Sequence, residues 1–163
     1  MPLQQRPQFH RCQLTFAHHH LAIDHRVGCL RAGAQQQAGH GVVHRATCKT
    51  IEVEEIWRVI GNYAQAARRA KAGGLDGVEL SAVHQHMIDQ FWSPRVNKRT
   101  DEWGGTFEGR MKFGLEVLKA VRAEVGPDFC VGMRICGDEF HPDGLSHEDM
   151  KEIAKYYDAT GMV

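Results

Sequence analysis

Two places in the chain carry side chains that could do chemistry. The first is the run Ser81-Ala82-Val83-His84-Gln85-His86, which follows a short apolar segment. Imidazoles donate hydrogen bonds, move protons near neutral pH and ligate metals, and a serine hydroxyl adds a donor and an acceptor. The H-x-H spacing alone does not choose among these roles, and two loop histidines serve equally well as structural or solvent-exposed groups. The second place is Arg134, set between Met133 and Ile135 in an alternating apolar segment where charge is out of place. A buried guanidinium needs a partner. Two are open: Glu79 on a neighbouring strand, or an anionic ligand at the strand end. Asp138, Glu139 and His141 could in principle join His84 around a metal, and Arg99 with Asp101 reads as a structural ion pair.

The elements that must position these groups are legible from period and punctuation. Residues 54–72 predict an amphipathic helix, with Ile56, Val59, Ile60, Tyr63, Ala67 and Ala70 on one face and Gly73-Gly74 as the stop. Its first turn is acidic and its last turn basic, as the helix dipole favours. Residues 75–80 predict a short buried strand, and a polar loop is expected to follow it through Pro94, Asn97 and Gly104-Gly105. A second helix is expected over residues 107–125, carrying Met111, Leu115, Leu118, Val121 and Val125 as its stripe and ended by Gly126-Pro127. Residues 130–136 predict a second strand. Ser146 with Asp149 resembles a capping box and opens a third helix, which Thr160-Gly161 closes. Met162-Val163 reads as the start of a further strand. Strands alternating with helices imply parallel βα units, in which ligands bind at the C-terminal strand ends. Ser81, His84 and His86 fall at such an end. Two strands neither close a barrel nor complete an open sheet, so the chain is expected to be a piece of a larger α/β fold.

Composition narrows the function class. The 163 residues hold 20 Lys and Arg against 20 Asp and Glu, so no global charge favours nucleic acid or anionic lipid. No run of about 18 apolar residues suggests a membrane span, and no secretory signal is expected at the N-terminus. Five cysteines without a C-x-x-C read as reduced thiols in a cytoplasm, with no structural zinc or iron–sulfur framework. The averages hide a break near residue 49. Residues 1–48 hold seven of the eleven His, seven Gln, five Arg, no Lys and a single acid, Asp24. This stretch reads as a poorly ordered extension, as a His-rich metal-binding tract, or as a frame that was never naturally selected. Residues 49–163 read as the folded part.

At this point a resemblance becomes specific. The run Asp76-Gly77-Val78-Glu79, then His84, then Asp89-Gln90-Phe91-Trp92-Ser93-Pro94, then residues 97–105 reading N-K-R-T-D-E-W-G-G, then Arg110, then Val131-Gly132-Met133-Arg134-Ile135, resembles the Old Yellow Enzyme family of FMN-dependent NADH:flavin oxidoreductases. The motifs cover about residues 50–163. The resemblance implies a TIM barrel of which the two strands are the fourth and fifth, with FMN at the mouth and Arg134 near flavin N1 and O2. It implies that NAD(P)H serves as an electron donor, and that an iron–sulfur cluster belongs only to a C-terminal region beyond the matching motifs. Simple family members carry His-x-x-His or His-x-x-Asn after the fourth strand and a proton-donating Tyr two residues later. Here Ser81, His84 and His86 take those three positions, which weakens the case for alkene reduction.

The Ser-x-x-His-x-His pattern is closer to the amine-oxidising branch, which includes trimethylamine dehydrogenase and the N-methylproline and dimethylglycine demethylases. The implied activity is oxidation of an N-methyl carbon, with an iminium that hydrolyses to formaldehyde and the demethylated amine. Ser81, His84 and His86 are the implied catalytic residues, Arg134 is the implied cofactor contact, and no metal is implied. The expected partner is a small-molecule substrate, with oligomerisation a property of the full-length parent. The alternatives are an enone or dienoyl-CoA-type reductase, and a truncated, inactive fragment. For the isolated chain, weak or absent flavin binding and no turnover are expected, because the phosphate-binding loops of a TIM barrel lie after its last strands.

Overall fold

The computed structural model describes residues 30–31 and 49–163. The expectations for residues 1–48, as an extension, a metal-binding tract or an unselected frame, therefore lie outside the described residues except at Leu30–Arg31. That pair forms strand β1 (Leu30–Arg31), which runs parallel to β2 (Lys49–Thr50). Then follow α1 (Val53–Ala72), β3 (Gly77–Ala82), α2 (Met87–Trp92), α3 (Phe107–Val125), β4 (Cys130–Ile135) and α4 (His147–Asp158).

The first helix forms as its period predicts. Ile56, Val59, Ile60, Ala64, Ala67 and Ala70 are buried, with Ala64 replacing the expected Tyr63, which lies only partly covered. The α1 N-terminus is tied by the Glu55 carboxylate, which accepts from the Glu52 amide at 2.9 Å. Helix α3 packs on α1, and its Phe113 stacks on Phe91 of α2 with ring centroids 4.4 Å apart. Leu115, expected in the α3 stripe, is only partly buried, because Gly114, Val117 and Leu118 take the inner face.

Three boundaries differ from expectation. The first strand starts at Gly77, not Leu75, since the Leu75 amide is spent closing α1 on the Ala70 carbonyl and its side chain is 48% exposed. The strand consequently runs on through Ser81 and Ala82. The expected polar loop contains a short helix, α2. Six residues are less than two turns, too few for a 3.6-residue period to stand out. Met162-Val163 forms no strand. Instead the Met162 carbonyl accepts from Arg122 Nε at 2.8 Å and its amide bonds Thr160 Oγ1 at 3.2 Å.

Strands β3 and β4 pair in parallel from Gly77 with Cys130 through Ala82 with Ile135. At Gly77 the strands approach so closely that a Cβ would sit 2.7 Å from that of Cys130. Side chains alternate across a strand. Leu80, Ala82 and Val131 are buried in the helix-covered core, with Val78, Met133 and Ile135 packed against it. The opposite face carries Glu79, Ser81, Gly132 and Arg134. A parallel sheet is usually apolar on both faces, so this polar face is the feature of the fold that most needs explaining.

One hydroxyl locks the layers together. Tyr157 of α4 accepts from Trp92 Nε1 of α2 at 2.9 Å and donates to the Met111 carbonyl of α3 at 2.8 Å. Burial pushes its phenol well above the ordinary tyrosine range, so it stays neutral and able to donate. Replacing Tyr157→Phe should leave the Trp92 indole N–H buried and unpaired and cost about 1–3 kcal/mol. Urea unfolding would show this as a lower midpoint at unchanged slope.

Candidate active-site rim

Strand β3 delivers Ser81 to the polar face, and the chain then turns sharply. The Ser81 hydroxyl lies 3.1 Å from His86 Nδ1. Between them, His84 and Gln85 both adopt left-handed backbone, at φ 56° and 59°. For residues other than glycine this costs on the order of 1–2 kcal/mol each, so something must hold the turn. The His86 amide donates to the Val83 carbonyl at 3.0 Å, the Gln85 amide donates to Asp89 Oδ2 at 2.9 Å, and the Gln85 carbonyl accepts from Gln90 Nε2. The turn carries both imidazoles in solvent, with ring centroids 6.3 Å apart and planes at 76°.

Arg134 is the register partner of Ser81, and parallel register partners project from the same face. Its Nη2 lies 2.8 Å from Glu79 Oε1, and Glu79 precedes Ser81 by two residues on that same face. Of the two partners open to Arg134, the structure supplies Glu79. The pair is not buried, however: the arginine side chain is 52% exposed and the glutamate 46%. The arginine side chain is therefore half exposed beside its contact to Glu79. A Cβ at Gly132, its neighbour on the face, would meet nothing within 4 Å. Ser81, His86 and Arg134 thus converge at one end of the strand pair, and His84 sits beside His86.

Sequence reasoning missed what lies beneath this rim. Asp89 is 3% exposed, and its Oδ1 has no hydrogen-bond partner among the described residues. Burial raises its pKa above the usual carboxylate range, Glu139 adds to that, and the Gln85 amide and the two imidazoles oppose it. Glu139, considered above only as a metal ligand, instead closes the loop after β4. It accepts from Ser93 Oγ at 2.9 Å and the Leu145 amide at 2.6 Å, with Arg95 at 3.9 Å. Among the described residues, no three His, Cys, Asp or Glu side chains are grouped to hold a metal. Cys130 and Cys136 are free thiols.

The loop that carries the most recognisable motif is scaffold. Arg99 Nε pairs with Asp101 Oδ1 at 2.9 Å, and Arg99 Nη1 donates to the Ile51 carbonyl at 2.6 Å. This guanidinium holds the Asp101 carboxyl below its ordinary range. Asn97 donates to the Phe91 and Trp103 carbonyls, both at 2.8 Å. The expected structural ion pair is therefore present.

The sequence model of the NADH:flavin oxidoreductase / NADH oxidase family matches residues 8–162. The chain belongs to that family. The match reaches well into the N-terminal 48 residues, further than the motifs alone extend. Among curated proteins of known description, the N,N-dimethylglycine/sarcosine dehydrogenase of Chromohalobacter salexigens is 82% identical over 121 residues, covering 74% of this chain and 17% of that protein. The probable N-methylproline demethylase of Rhizobium meliloti is 46% identical over 120 residues, covering 74% and 18%. The chain thus spans less than a fifth of the length of either relative. It also superposes on morphinone reductase in complex with tetrahydroNAD, with TM-score 0.68 and 31% identity, over 81% of this chain and 39% of that one. The parallel pair with its covering helices is what a piece of this family's TIM barrel contains. No described helix is long and apolar enough to cross a membrane.

The Ser81 hydroxyl, which can donate or accept, holds the imidazole of His86 at Nδ1. Ser81→Ala should shift the Nδ1 NMR signal of His86, which loses its hydrogen-bond partner, and leave the signals of His84 in place.

Proposed function

We propose that this chain is part of an FMN-dependent oxidoreductase that, at full length, oxidatively demethylates an N-methylated amine. The observation that carries this reading is the 82% identity to N,N-dimethylglycine/sarcosine dehydrogenase over 121 residues, 74% of this chain. In this reading β3 and β4 are the fourth and fifth of eight barrel strands, and their polar face is turned to the barrel interior. That placement accounts for a parallel sheet with one charged face.

The residues present fit one edge of a flavin. Arg134 offers an exposed planar cation, and the open space at Gly132 leaves clearance for a flat ring beside the strand. FMN, when bound, supplies the acceptor for the hydride lost from the N-methyl carbon. Arg134 would hold that edge of the ring, where its cation would stabilise negative charge. His84 and His86 orient the amine. The His86 imidazole, held by Ser81, takes the ammonium proton, so that the amine nitrogen presents its lone pair. In a TIM barrel the phosphate site is frequently built from the loops after the last two strands, so the two strands β3 and β4 alone are expected to retain little flavin.

The test uses the full-length protein. Mixed anaerobically with sarcosine or N,N-dimethylglycine, it should lose its oxidised flavin absorbance near about 450 nm and release formaldehyde. Bleaching by NADH followed by reoxidation with an enone, but none with the amines, would favour the reductase alternative. Arg134→Ala should weaken FMN retention and lower the flavin potential, with Arg134→Lys intermediate because it keeps charge but loses the planar fork. The isolated 163-residue chain, incubated with FMN and desalted, should emerge nearly colourless. A stoichiometric yellow complex would show that these strands alone suffice.

A further inference from the structure

We propose that Asp89 is the positioning residue of the rim: its buried carboxylate pins the left-handed His84–Gln85 turn and thereby holds the imidazoles beside Ser81. The proposal deepens the reading above in one respect, since it takes these rings to be the ones that meet the substrate.

Asp89 is the third residue of α2, a place where an acid ordinarily reaches back to the capping amide of its own helix. Here it does not. The His86 amide is already given to Val83, and the Asp89 carboxylate reaches one residue further, to Gln85. Its bond is therefore spent on the turn and not on the helix. With Gln90 Nε2 on the Gln85 carbonyl, α2 clamps the Gln85 residue on both sides.

The setting is costly for a carboxylate. Its neighbours along α2, Ile88, Phe91 and Trp92, are fully buried apolar groups, and one carboxylate oxygen has no partner among the described residues. An isolated charge there is penalised by lost hydration. The charged and titratable groups acting on it are His84 and His86 from the β3 turn, which favour the carboxylate, and Glu139 from the β4 loop, which opposes it. Glu139 is itself pinned by Ser93, Leu145 and Arg95. From α3, Arg110 gives its donors to the Trp92 and Gly105 carbonyls. A residue chosen for stability alone would be apolar or amide here.

The linkage has a definite sign. The folded-state pKa is raised, so the folded state is penalised as pH climbs from the unfolded carboxylate range through the higher folded value. Asp89→Asn keeps an acceptor for Gln85 and removes the charge. It should unfold at higher urea than the wild type at pH 7, with the difference vanishing at acid pH. Asp89→Ala removes the acceptor.

The test is NMR on the full chain. In Asp89→Ala, the Gln85 amide should exchange with solvent at least about tenfold faster, and the His86 ring signals should lose their Ser81-bonded signature. Asp89→Asn should retain both. In the wild type, one pH titration should move the Asp89 carboxyl carbon, the Gln85 amide proton and the His86 ring signals with a common midpoint above the ordinary carboxylate range. That measurement stands even where Asp89→Ala fails to fold. An absent common midpoint, or unchanged Gln85 protection and His86 signals in Asp89→Ala, overturns the proposal. None of these readouts uses flavin or amine. Failure of amine oxidation with these signals intact would therefore remove the functional reading alone.

Discussion

Six register pairs hold β3 against β4, and the pairing of Ser81 with Arg134 is the one on which the rest of the molecule depends. In a parallel pair, partners share a face. That geometric rule places a guanidinium, a hydroxyl and a carboxylate along one side of the sheet, while Leu80, Ala82 and Val131 anchor the other side in the helical core. A slip of one residue would send Arg134 into the helices and the apolar set toward the rim. The helices α1 and α3 and the aromatic stack of Phe91 on Phe113 serve chiefly to keep that register.

The polar groups divide into two systems with different duties. One is the loop over residues 97–105, where Asn97, Arg99 and Asp101 saturate backbone carbonyls and one another. Its role is to tie the loop to Ile51 ahead of α1 and to the end of α2, although the buried Trp103 indole N–H has no partner among the described residues. The other lies beneath the rim, where the carboxyl groups of Asp89 from α2 and Glu139 from the loop after β4 are both buried. It is incompletely satisfied and supports two left-handed residues. Strain is often stored where side chains must be aimed, and here the left-handed Gln85 bonds the buried Asp89. The motif that makes the family recognisable is thus mostly scaffold.

Most elements were legible because they rest on local rules. The period of α1, the Gly126-Pro127 stop of α3 and the Ser146–Asp149 box of α4 are written in residues a few positions apart. The departures have two causes. The start of β3 moved because Leu75 is captured by a helix carbonyl five residues back, and Met162-Val163 found Arg122 and Thr160 instead of a strand. In both a hydrogen-bond partner, which propensity does not name, decided the outcome, whereas α2 was too short to show a period.

By itself the sequence determined the alternation of helices with parallel strands, the family, and the identity of Ser81, His84, His86 and Arg134 as the chemically able residues, because periodicity, caps and linked motifs are local and additive. Only the tertiary structure decided that Arg134 stands with Ser81, that it meets Glu79 at 2.8 Å while staying half exposed, and that a buried Asp89 supports the turn. Those outcomes depend on which residues become neighbours when β4, about 50 positions downstream, lies down beside β3. Register and burial are properties of that pairing and of the solvent it excludes.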